Sequence, residues 1–266
     1  MLRKFLKLIV MNGNRPPLFY QPIAILLIAA AVIATPLLTS AQESKLETDT
    51  FRIRKRSFML PQPLPAWRYT HLIGINYVIV PKDWSLDNIQ APMINYTGRY
   101  TLPWGFNMQA NVQTLFLSNR IGVGPVWNFA LTEGLHVGIG YQFAFNGGVL
   151  KEFGYNTVLI GWEQQPSVTI GYSFKRSVIT LRGDVTYTTS FSLEEGGNVI
   201  NFPDGNINGA AITTTLEQRL WKDRLMTFGV KLAVVRYHIL AWPTFPVNKY
   251  RYLVPEFQIG LKLGKK

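Results

Sequence analysis

The sequence predicts an all-β protein: a transmembrane, antiparallel, up-and-down β-barrel that follows a cleaved signal peptide. Three observations support this prediction. Strand-like segments alternate apolar and polar residues with few errors, they recur to the C-terminus, and an export signal precedes them. Alternation with period two gives each strand one apolar and one polar wall, which face lipid and lumen in a membrane barrel.

The first 41 residues have the organisation of a secretory signal peptide. Its basic residues come first, without a single acid: Arg3, Lys4, Lys7 and Arg15. An apolar run at 23–38 follows, and small residues precede Gln42. Because Pro36 interrupts the run, and a spanning helix needs about 20 residues, we expect cleavage before Gln42. An uncleaved anchor is the alternative.

Composition excludes several classes of site and partner. The chain has no cysteine, which removes disulfides, thiolate metal sites and cysteine nucleophiles. Net charge is +12, and the signal peptide holds four basic residues and no acid, which leaves +8 for the remaining chain. After Arg56 the basic residues are scattered, whereas nucleic-acid binding needs a clustered basic face. We therefore expect no nucleic-acid partner.

Residues 42–67 are predicted to form a periplasmic tail in front of the barrel, which takes 68–266. The segment is basic between Arg52 and Arg56 and proline-rich between Pro61 and Pro65. It lacks strand alternation, and prolines cannot donate to a β-ladder. A solvated tail is the first expectation. The alternative is that its basic cluster folds into the barrel mouth as a plug.

Two consecutive segments, 94–102 and 106–113, show the alternation most clearly. The polar face of the first is Asn95, Thr97, Arg99 and Thr101, and that of the second is Asn107, Gln109, Asn111 and Gln113. Apolar residues and glycine fill the opposite faces. Strands of about 9–11 residues cross a bilayer when they are tilted.

Eleven strand candidates follow the tail. They are 69–80, 93–102, 105–116, 120–130, 134–145, 155–163, 166–174, 177–189, 209–220, 224–242 and 250–264. A bacterial single-chain barrel has an even number of strands. The odd number of candidates arises between the long connections 146–154 and 190–208, which enclose three of them. A further strand within 150–162 or at 199–202 gives twelve strands, which we predict, and fusion of two candidates gives ten, which is the alternative.

The polar faces place nine charged side chains in the lumen. They are Arg99, Arg182, Asp184, Glu217, Arg219, Lys231, Arg236, Glu256 and Lys262. These six cations and three carboxylates leave a net charge of +3, so a conducting barrel is expected to prefer anions. A charge on the lipid-facing wall costs about 2–4 kcal/mol at mid-bilayer, so insertion alone already favours the inward placement. The other interpretation is a salt-bridge lattice in a closed barrel.

The tenth candidate contains a conflict of phase. Continued from Met226, its alternation turns Arg236 toward lipid, whereas a symmetric loop would place Arg236 opposite the inward residue Glu256. We predict that a β-bulge at 233–235 reverses the phase and pairs Arg236 with Glu256. An asymmetric loop that leaves Arg236 outward is the alternative.

No catalytic or metal constellation is visible. The histidines are His71, His136 and His238, and none stands near a serine in a recognised nucleophile context. The pair Glu194 and Glu195 lies in a loop whose glycines indicate a turn rather than a calcium site. We expect neither a metal nor a cofactor, and we name no catalytic residue.

The chain after the signal peptide resembles the small outer-membrane β-barrels of Gram-negative bacteria. The signal peptide, the alternating strands and the final strand between Leu253 and Leu263 carry this resemblance. The chain ends Gly264-Lys265-Lys266, whereas an assembly-type terminal strand ends on an aromatic residue. The resemblance implies an outer-membrane location and contact with its lipids.

Three classes of function are compatible with such a barrel. The first expectation is a passive pore or binder for small polar or anionic solutes, because the predicted lumen is polar and cationic. The alternatives are a structural or interaction barrel, acting through the 190–208 loop or the basic tail, and an outer-membrane lipid-modifying hydrolase.

Overall fold

The computed structural model describes residues 53–81, 90–115, 117–151, 156–174, 176–201, 205–220, 224–238 and 251–263. The predicted signal peptide and the first part of the predicted tail, 42–52, lie outside these residues. No helix in the described ranges is long and apolar enough to cross a membrane.

The described chain is built almost entirely of strands. Helix α1 spans Ile53–Arg56, and a 3₁₀ turn spans Pro103–Gly105. The strands are β1 Tyr69–Ile79, β2 Gln90–Thr101, β3 Phe106–Thr114, β4 Ser118–Ala130, β5 Leu135–Leu150, β6 Thr157–Ser173, β7 Ser177–Glu195, β8 Asn198–Asn201, β9 Asn206–Arg219, β10 Leu225–Val235 and β11 Tyr252–Leu263.

Ten of these strands close an antiparallel barrel. Each barrel strand pairs with its neighbours in the chain, and β1 pairs with β11 to complete the ring. Strand β7 pairs with β6 on one side and with β9 on the other. Among the described residues β8 pairs with β7 alone, as a hairpin extension outside the ring.

The prediction of twelve strands is therefore wrong, and the alternative of ten is correct. Candidates 155–163 and 166–174 are one continuous strand, β6, which contains Pro166. Pro166 keeps its partner Tyr141 in β5, while the β6–β7 pairing passes from Gln164 to Ser167. A proline without an N–H interrupts one ladder and leaves the other in place. Residues at 199–202 do pair in part, but as the hairpin extension β8.

The outer wall of the barrel is apolar. Exposed aliphatic and aromatic side chains occur on strand after strand, and examples are Ile75, Ile121, Ile139, Phe143, Ile170, Leu181 and Ile259. In a protein dissolved in water such a continuous belt would be exceptional. A belt of this kind around a polar interior is the arrangement of barrels that span a bilayer.

The two ends of the barrel differ in their connections. At one end the turns 102–105, 131–134, 174–176 and 220–224 are short. At the other end most connections are longer, at 80–89, 151–156, 196–205 and 236–251, with one short turn at 115–117. Short turns face the periplasm in barrels of this type, so we call these the periplasmic and outer ends.

The predicted bulge in β10 is wrong. The β10–β11 register runs without a break from Met226 opposite Leu261 to Val235 opposite Tyr252. In this register Lys231 rather than Arg236 lies opposite Glu256. Register shifts do occur elsewhere, in the pairing of β6 with β7 and in that of β7 with β9.

Candidate functional site

The lumen contains a cavity of about 240 Å³ that is lined by inward side chains of all ten barrel strands. Amide side chains dominate this lining: Asn76, Asn95, Gln109, Asn111, Gln113, Asn128, Gln142, Asn146, Gln165, Asn208 and Gln258. Threonines and a few charged groups occupy most of the remaining polar positions. The inward phase of the strands therefore builds a small polar compartment inside the membrane wall.

Several of these amides are buried without a hydrogen-bond partner among the described residues. They are the Nδ2 groups of Asn76 and Asn146 and the Oδ1 atoms of Asn95, Asn111 and Asn128. Buried polar groups ordinarily find a partner, in protein or in ordered water. The lining of the cavity thus contains amide donors and acceptors whose hydrogen bonds are not made within the described residues.

Residues 53–65 occupy the lumen at the periplasmic end, and we call this segment the plug. Ile53 and Leu60 have no exposed surface, and Ser57 and Phe58 are at most 5% exposed. For these residues the expectation of a solvated tail is wrong, and the plug alternative describes the structure. The reason is that inward side chains of the barrel satisfy the polar atoms of the segment.

The carboxylate of Glu217 in β9 holds the plug. It accepts hydrogen bonds from the Ser57 hydroxyl, from the Phe58 N–H at 2.8 Å and from the Met59 N–H at 3.0 Å. Glu217 is completely buried. A buried carboxylate needs such donors, because an uncompensated charge in this position would be strongly destabilising.

Two cations hold the carbonyl groups of the same stretch. The Arg99 guanidinium donates to the Phe58 carbonyl and lies 4.5 Å from the centre of the Phe58 ring. Lys262 donates to the Arg56 carbonyl. Arg99, Glu217 and Lys262 thus bind the main chain between Arg56 and Met59, and we call them the latch.

Apolar contacts and two glycines complete the fit of the plug. Ile53 and Leu60 pack with Val178 and Leu225, which are buried at the periplasmic ends of β7 and β10. A Cβ on Gly171 would lie 2.6 Å from Pro61 Cδ, and one on Gly138 would lie 2.9 Å from Pro61 Cβ. These inward glycines leave the space that the proline-rich part of the plug fills.

A fixed reversal joins the plug to β1. Trp67 has a φ of 65°, a conformation that bulky residues rarely adopt. The buried Thr101 secures the chain here, because its hydroxyl donates to the Pro65 carbonyl at 2.7 Å and accepts from the Arg68 N–H at 2.9 Å. The chain can therefore pass from the lumen to the barrel wall at one defined point.

A charged network on the inner face of the wall joins β4 to β6 and β7 across β5. Arg120 lies 3.4 Å from Glu163 and donates to Gln165 at 2.9 Å, and Gln165 donates to Asp184 at 2.6 Å. Asp184 also lies 3.5 Å from Arg182. Arg120 and Glu163 were missed as lumen residues. They stand at the edges of two strand candidates, and extending the inward phase to these edges would have found them.

Two residues that follow β10, Tyr237 and His238, line the cavity at its outer end. Asn208 is the extra residue in the shifted β7–β9 register. Its side chain accepts from the Tyr237 N–H at 3.0 Å and donates to the Tyr237 carbonyl at 3.1 Å. The Tyr237 ring lies edge-on to Phe191 with a centroid distance of 4.4 Å. This contact joins the β10 side of the lumen to the β7 side.

An ion pair lies beside these residues. Lys231 donates to the Glu256 carboxylate at 2.8 Å, and His238 Nε2 lies 3.2 Å from the same carboxylate oxygen. Glu256 is 1% exposed. We call Asn208, Tyr237 and His238 the outer cover.

The structure brings most of the predicted lumen residues into the lumen. Arg99, Arg182, Asp184 and Lys231 line the cavity, while Glu217, Glu256 and Lys262 are tied into the latch or the ion pair. Arg219 ends β9 at the periplasmic end and is not part of the cavity lining. Arg236 is exposed and outside the cavity, which corrects its predicted inward position.

The net charge of the lumen wall therefore differs from the predicted value. In the described barrel wall, without the plug's Arg54 and Arg56, the lumen cations are Arg99, Arg120, Arg182, Lys231 and Lys262, and the lumen carboxylates are Glu163, Asp184, Glu217 and Glu256. Five cations and four carboxylates leave a net charge of +1, in place of the predicted +3. The electrostatic case for an anion-selective lumen is correspondingly weaker.

The histidines occupy three different environments. His71 contacts Tyr69 and Tyr96 on the lipid-facing side of β1 and β2. His136 is buried at the periplasmic end, where its Nδ1 lies 3.3 Å from the Gly134 carbonyl. His238 belongs to the outer cover. Within the described residues no group of three histidines or carboxylates could hold a metal ion.

Comparison with known proteins finds likeness only in architecture. No protein-family model and no curated protein matches the chain. The translocator domain of autotransporter NalP from Neisseria meningitidis is 11% identical with a TM-score of 0.36, covering 90% of this chain and 97% of that one. Neisserial surface protein A is 12% identical with a TM-score of 0.35, covering 73% and 96%. The KdgM porin is 9% identical with a TM-score of 0.36, covering 73% and 99%.

The barrel wall itself defines the class of protein. A closed antiparallel ring of ten strands, an apolar outer belt, a polar lumen and short turns at one end are the features of outer-membrane β-barrels. The protein is an outer-membrane β-barrel.

Proposed function

We propose that the protein is a plugged outer-membrane pore that binds and passes small polar solutes. The observation that carries this proposal is the lumen cavity, which is lined by amides with unpartnered donors and acceptors, with plug residues in its lining at one end and Tyr237 and His238 at the other. A barrel that served only as a rigid support could fill its interior with mutually paired side chains. This lumen instead keeps a polar compartment behind removable covers.

The chemistry of the cavity favours solutes that both donate and accept hydrogen bonds. Amide side chains supply both kinds of group, whereas a simple anion can only accept. The lumen-wall charge of +1 adds little preference for anions. A volume of about 240 Å³ is below the about 300–1,000 Å³ of sites for drug-sized ligands, so the solute is small.

Passage requires that the plug and the outer cover move. The plug contributes few elements of regular structure, only the four residues of α1, and it is bound through side chains rather than through a β-ladder. Segments held in this way open at lower free energy than core strands. The barrel wall can therefore stay intact while its ends open.

Electrical recording tests the proposal. Purified protein in planar lipid bilayers should show a low mean conductance with brief openings, and variants that weaken the plug should remain open longer. Proteoliposomes should swell in small polar solutes when the same variants are used. A silent bilayer with wild type and with every plug or cover variant would reject the pore.

A second candidate is an interaction barrel without transport. The β7–β8 hairpin extends beyond the barrel ring and exposes 60% of Val199. The edge of a short strand that pairs on one side offers main-chain groups to a strand of a partner protein. Deletion of residues 196–205 should leave conductance unchanged if the protein is a pore, so the same recordings separate the two functions.

A further inference from the structure

The latch already recognises one chemical class, the peptide main chain. Glu217 accepts hydrogen bonds from the N–H groups of Phe58 and Met59. Arg99 donates to the Phe58 carbonyl, and Lys262 donates to the Arg56 carbonyl. Of the plug's side-chain polar groups, the Ser57 hydroxyl takes part. The latch thus binds the main chain of a four-residue stretch, from Arg56 to Met59.

The plug shields the latch from water. With the plug in place Glu217 is 0% exposed and Arg99 is 6% exposed, and the plug supplies hydrogen-bond partners to both groups. A buried charge that loses its partners must find others, because an uncompensated charge away from water is strongly destabilising. A solute that replaces the plug must therefore supply donors to Glu217 and acceptors to Arg99 and Lys262 at the same time.

Short peptides meet this requirement. Their ammonium and amide N–H groups can donate to Glu217, and their carboxylate and carbonyl groups can accept from Arg99 and Lys262. A simple anion supplies only acceptors and would lie beside the Glu217 carboxylate. An uncharged sugar could donate and accept, but it would not neutralise either charge in this buried position.

We propose that the Arg99–Glu217–Lys262 latch is a binding site for short zwitterionic peptides, and that the plug residues 56–59 occupy this site when no peptide is bound. This inference rests on the proposed function, because the peptide reaches the latch only when the plug moves. The peptide and the plug then compete for the same three side chains. Binding of the peptide keeps the plug out of the lumen and the pore open.

The absence of cysteine allows a direct test on the full chain. Met59 lines the cavity, and only its main-chain N–H is bound by Glu217, so Met59→Cys keeps the latch and reports release of the plug. The labelling rate of Cys in this variant is measured with a charged maleimide on folded protein in detergent. The probes are trialanine, N-acetyl-trialanine amide without charged ends, and glucose.

Trialanine should accelerate labelling, and the other two probes should not. A ligand that binds only the released state raises its population by 1 + [L]/Kd, or about tenfold at about ten times Kd. Adding Glu217→Gln to Met59→Cys should raise the basal labelling rate and abolish the response to trialanine. Thr132→Cys, in an exposed periplasmic turn, is the matched control whose labelling should respond to neither change.

The possible failures are distinguishable. If Glu217→Gln accelerates labelling but trialanine does not, the peptide site is refuted while the releasable plug stands. Glucose or the uncharged peptide acting as strongly as trialanine would also refute it, in favour of a general polar site. If neither trialanine nor Glu217→Gln changes labelling in a variant that still shows the heat-dependent gel shift of a folded barrel, the plug is static and the proposed function fails too.

Discussion

Glu217 and Ser57 are 160 positions apart in the chain, and their side chains form a buried hydrogen bond inside the barrel. The same carboxylate also receives the N–H groups of the next two residues of the plug. One wall residue thereby fixes the segment that closes the periplasmic end of the lumen. The relationship makes the state of the pore depend on a small set of contacts that can be changed one at a time.

Glu217→Gln should open the pore without collapsing the barrel. The amide has nearly the same shape, but it removes the charge that accepts three hydrogen bonds. Loss of a charged acceptor costs about 2 kcal/mol, which corresponds to about thirtyfold more of the unplugged state. Open probability in planar bilayers measures this change. Glu194→Gln, at an exposed position near the outer end of β7, is the control, and an unchanged open probability in Glu217→Gln would contradict the latch.

Gly171→Ala should displace the plug by steric conflict. The new Cβ would stand 2.6 Å from Pro61 Cδ and 2.9 Å from Leu60 Cδ1. Because both atoms belong to the plug and not to the wall, the plug is expected to move. Limited proteolysis of folded protein should cut within 53–65 faster than in wild type. Gly183→Ala, whose Cβ meets no atom within 4 Å, should cleave at the wild-type rate.

Asn208→Ala should release the outer cover. The substitution removes the two hydrogen bonds that hold the main chain of Tyr237, each contributing about 0.5–1.5 kcal/mol. Paired with Tyr237→Cys, it should increase labelling of Cys by a charged thiol reagent by about tenfold or more. Asn198→Ala, at an exposed position in β8, serves as the control. Equal labelling in both backgrounds would show that Asn208 does not hold the cover.

A double-mutant cycle at Lys231 and Glu256 should show strong coupling. Lys231→Met removes a 2.8 Å ion pair from a carboxylate that is 1% exposed, which should cost about 3–5 kcal/mol in the free energy of unfolding. Glu256→Gln should recover much of this loss in the double variant. Urea unfolding in lipid vesicles gives the four values. Arg236 and Glu256 should show coupling below about 0.5 kcal/mol, and a larger value would contradict the observed register.

The open pore should select weakly between ions. The described residues of the lumen wall carry a net charge of +1, since Arg236 lies outside and Glu163 pairs with Arg120. Reversal potentials of Glu217→Gln in a salt gradient should therefore stay close to zero, shifting slightly toward anions because the variant removes one carboxylate. Strong cation preference would show that lumen charge does not set selectivity.

Period-two alternation was sufficient to predict an antiparallel membrane barrel and to choose the inward face of most strands. Alternation is a local property, because successive side chains of a strand point to opposite walls whatever the partner strand is. Arg99, Arg182, Asp184, Glu217, Lys231, Glu256 and Lys262 were assigned to the lumen on this basis. The signal peptide at 1–41 stays a prediction, which sequencing of the mature N-terminus would check.

Pairing between distant residues decided the remaining features. Candidates 155–163 and 166–174 form one strand because β5 continues to pair across Pro166, and this reduces the barrel to ten strands. Arg236 lies outside because the register of β10 against β11 is set along the whole pair, not by the loop that joins them. The plug enters the lumen because Glu217, Arg99 and Lys262 meet at its periplasmic end, and three separate strands bring them there. A basic, proline-rich segment has no strand pattern of its own. Its position is therefore set by hydrogen-bond partners that only the closed barrel brings together.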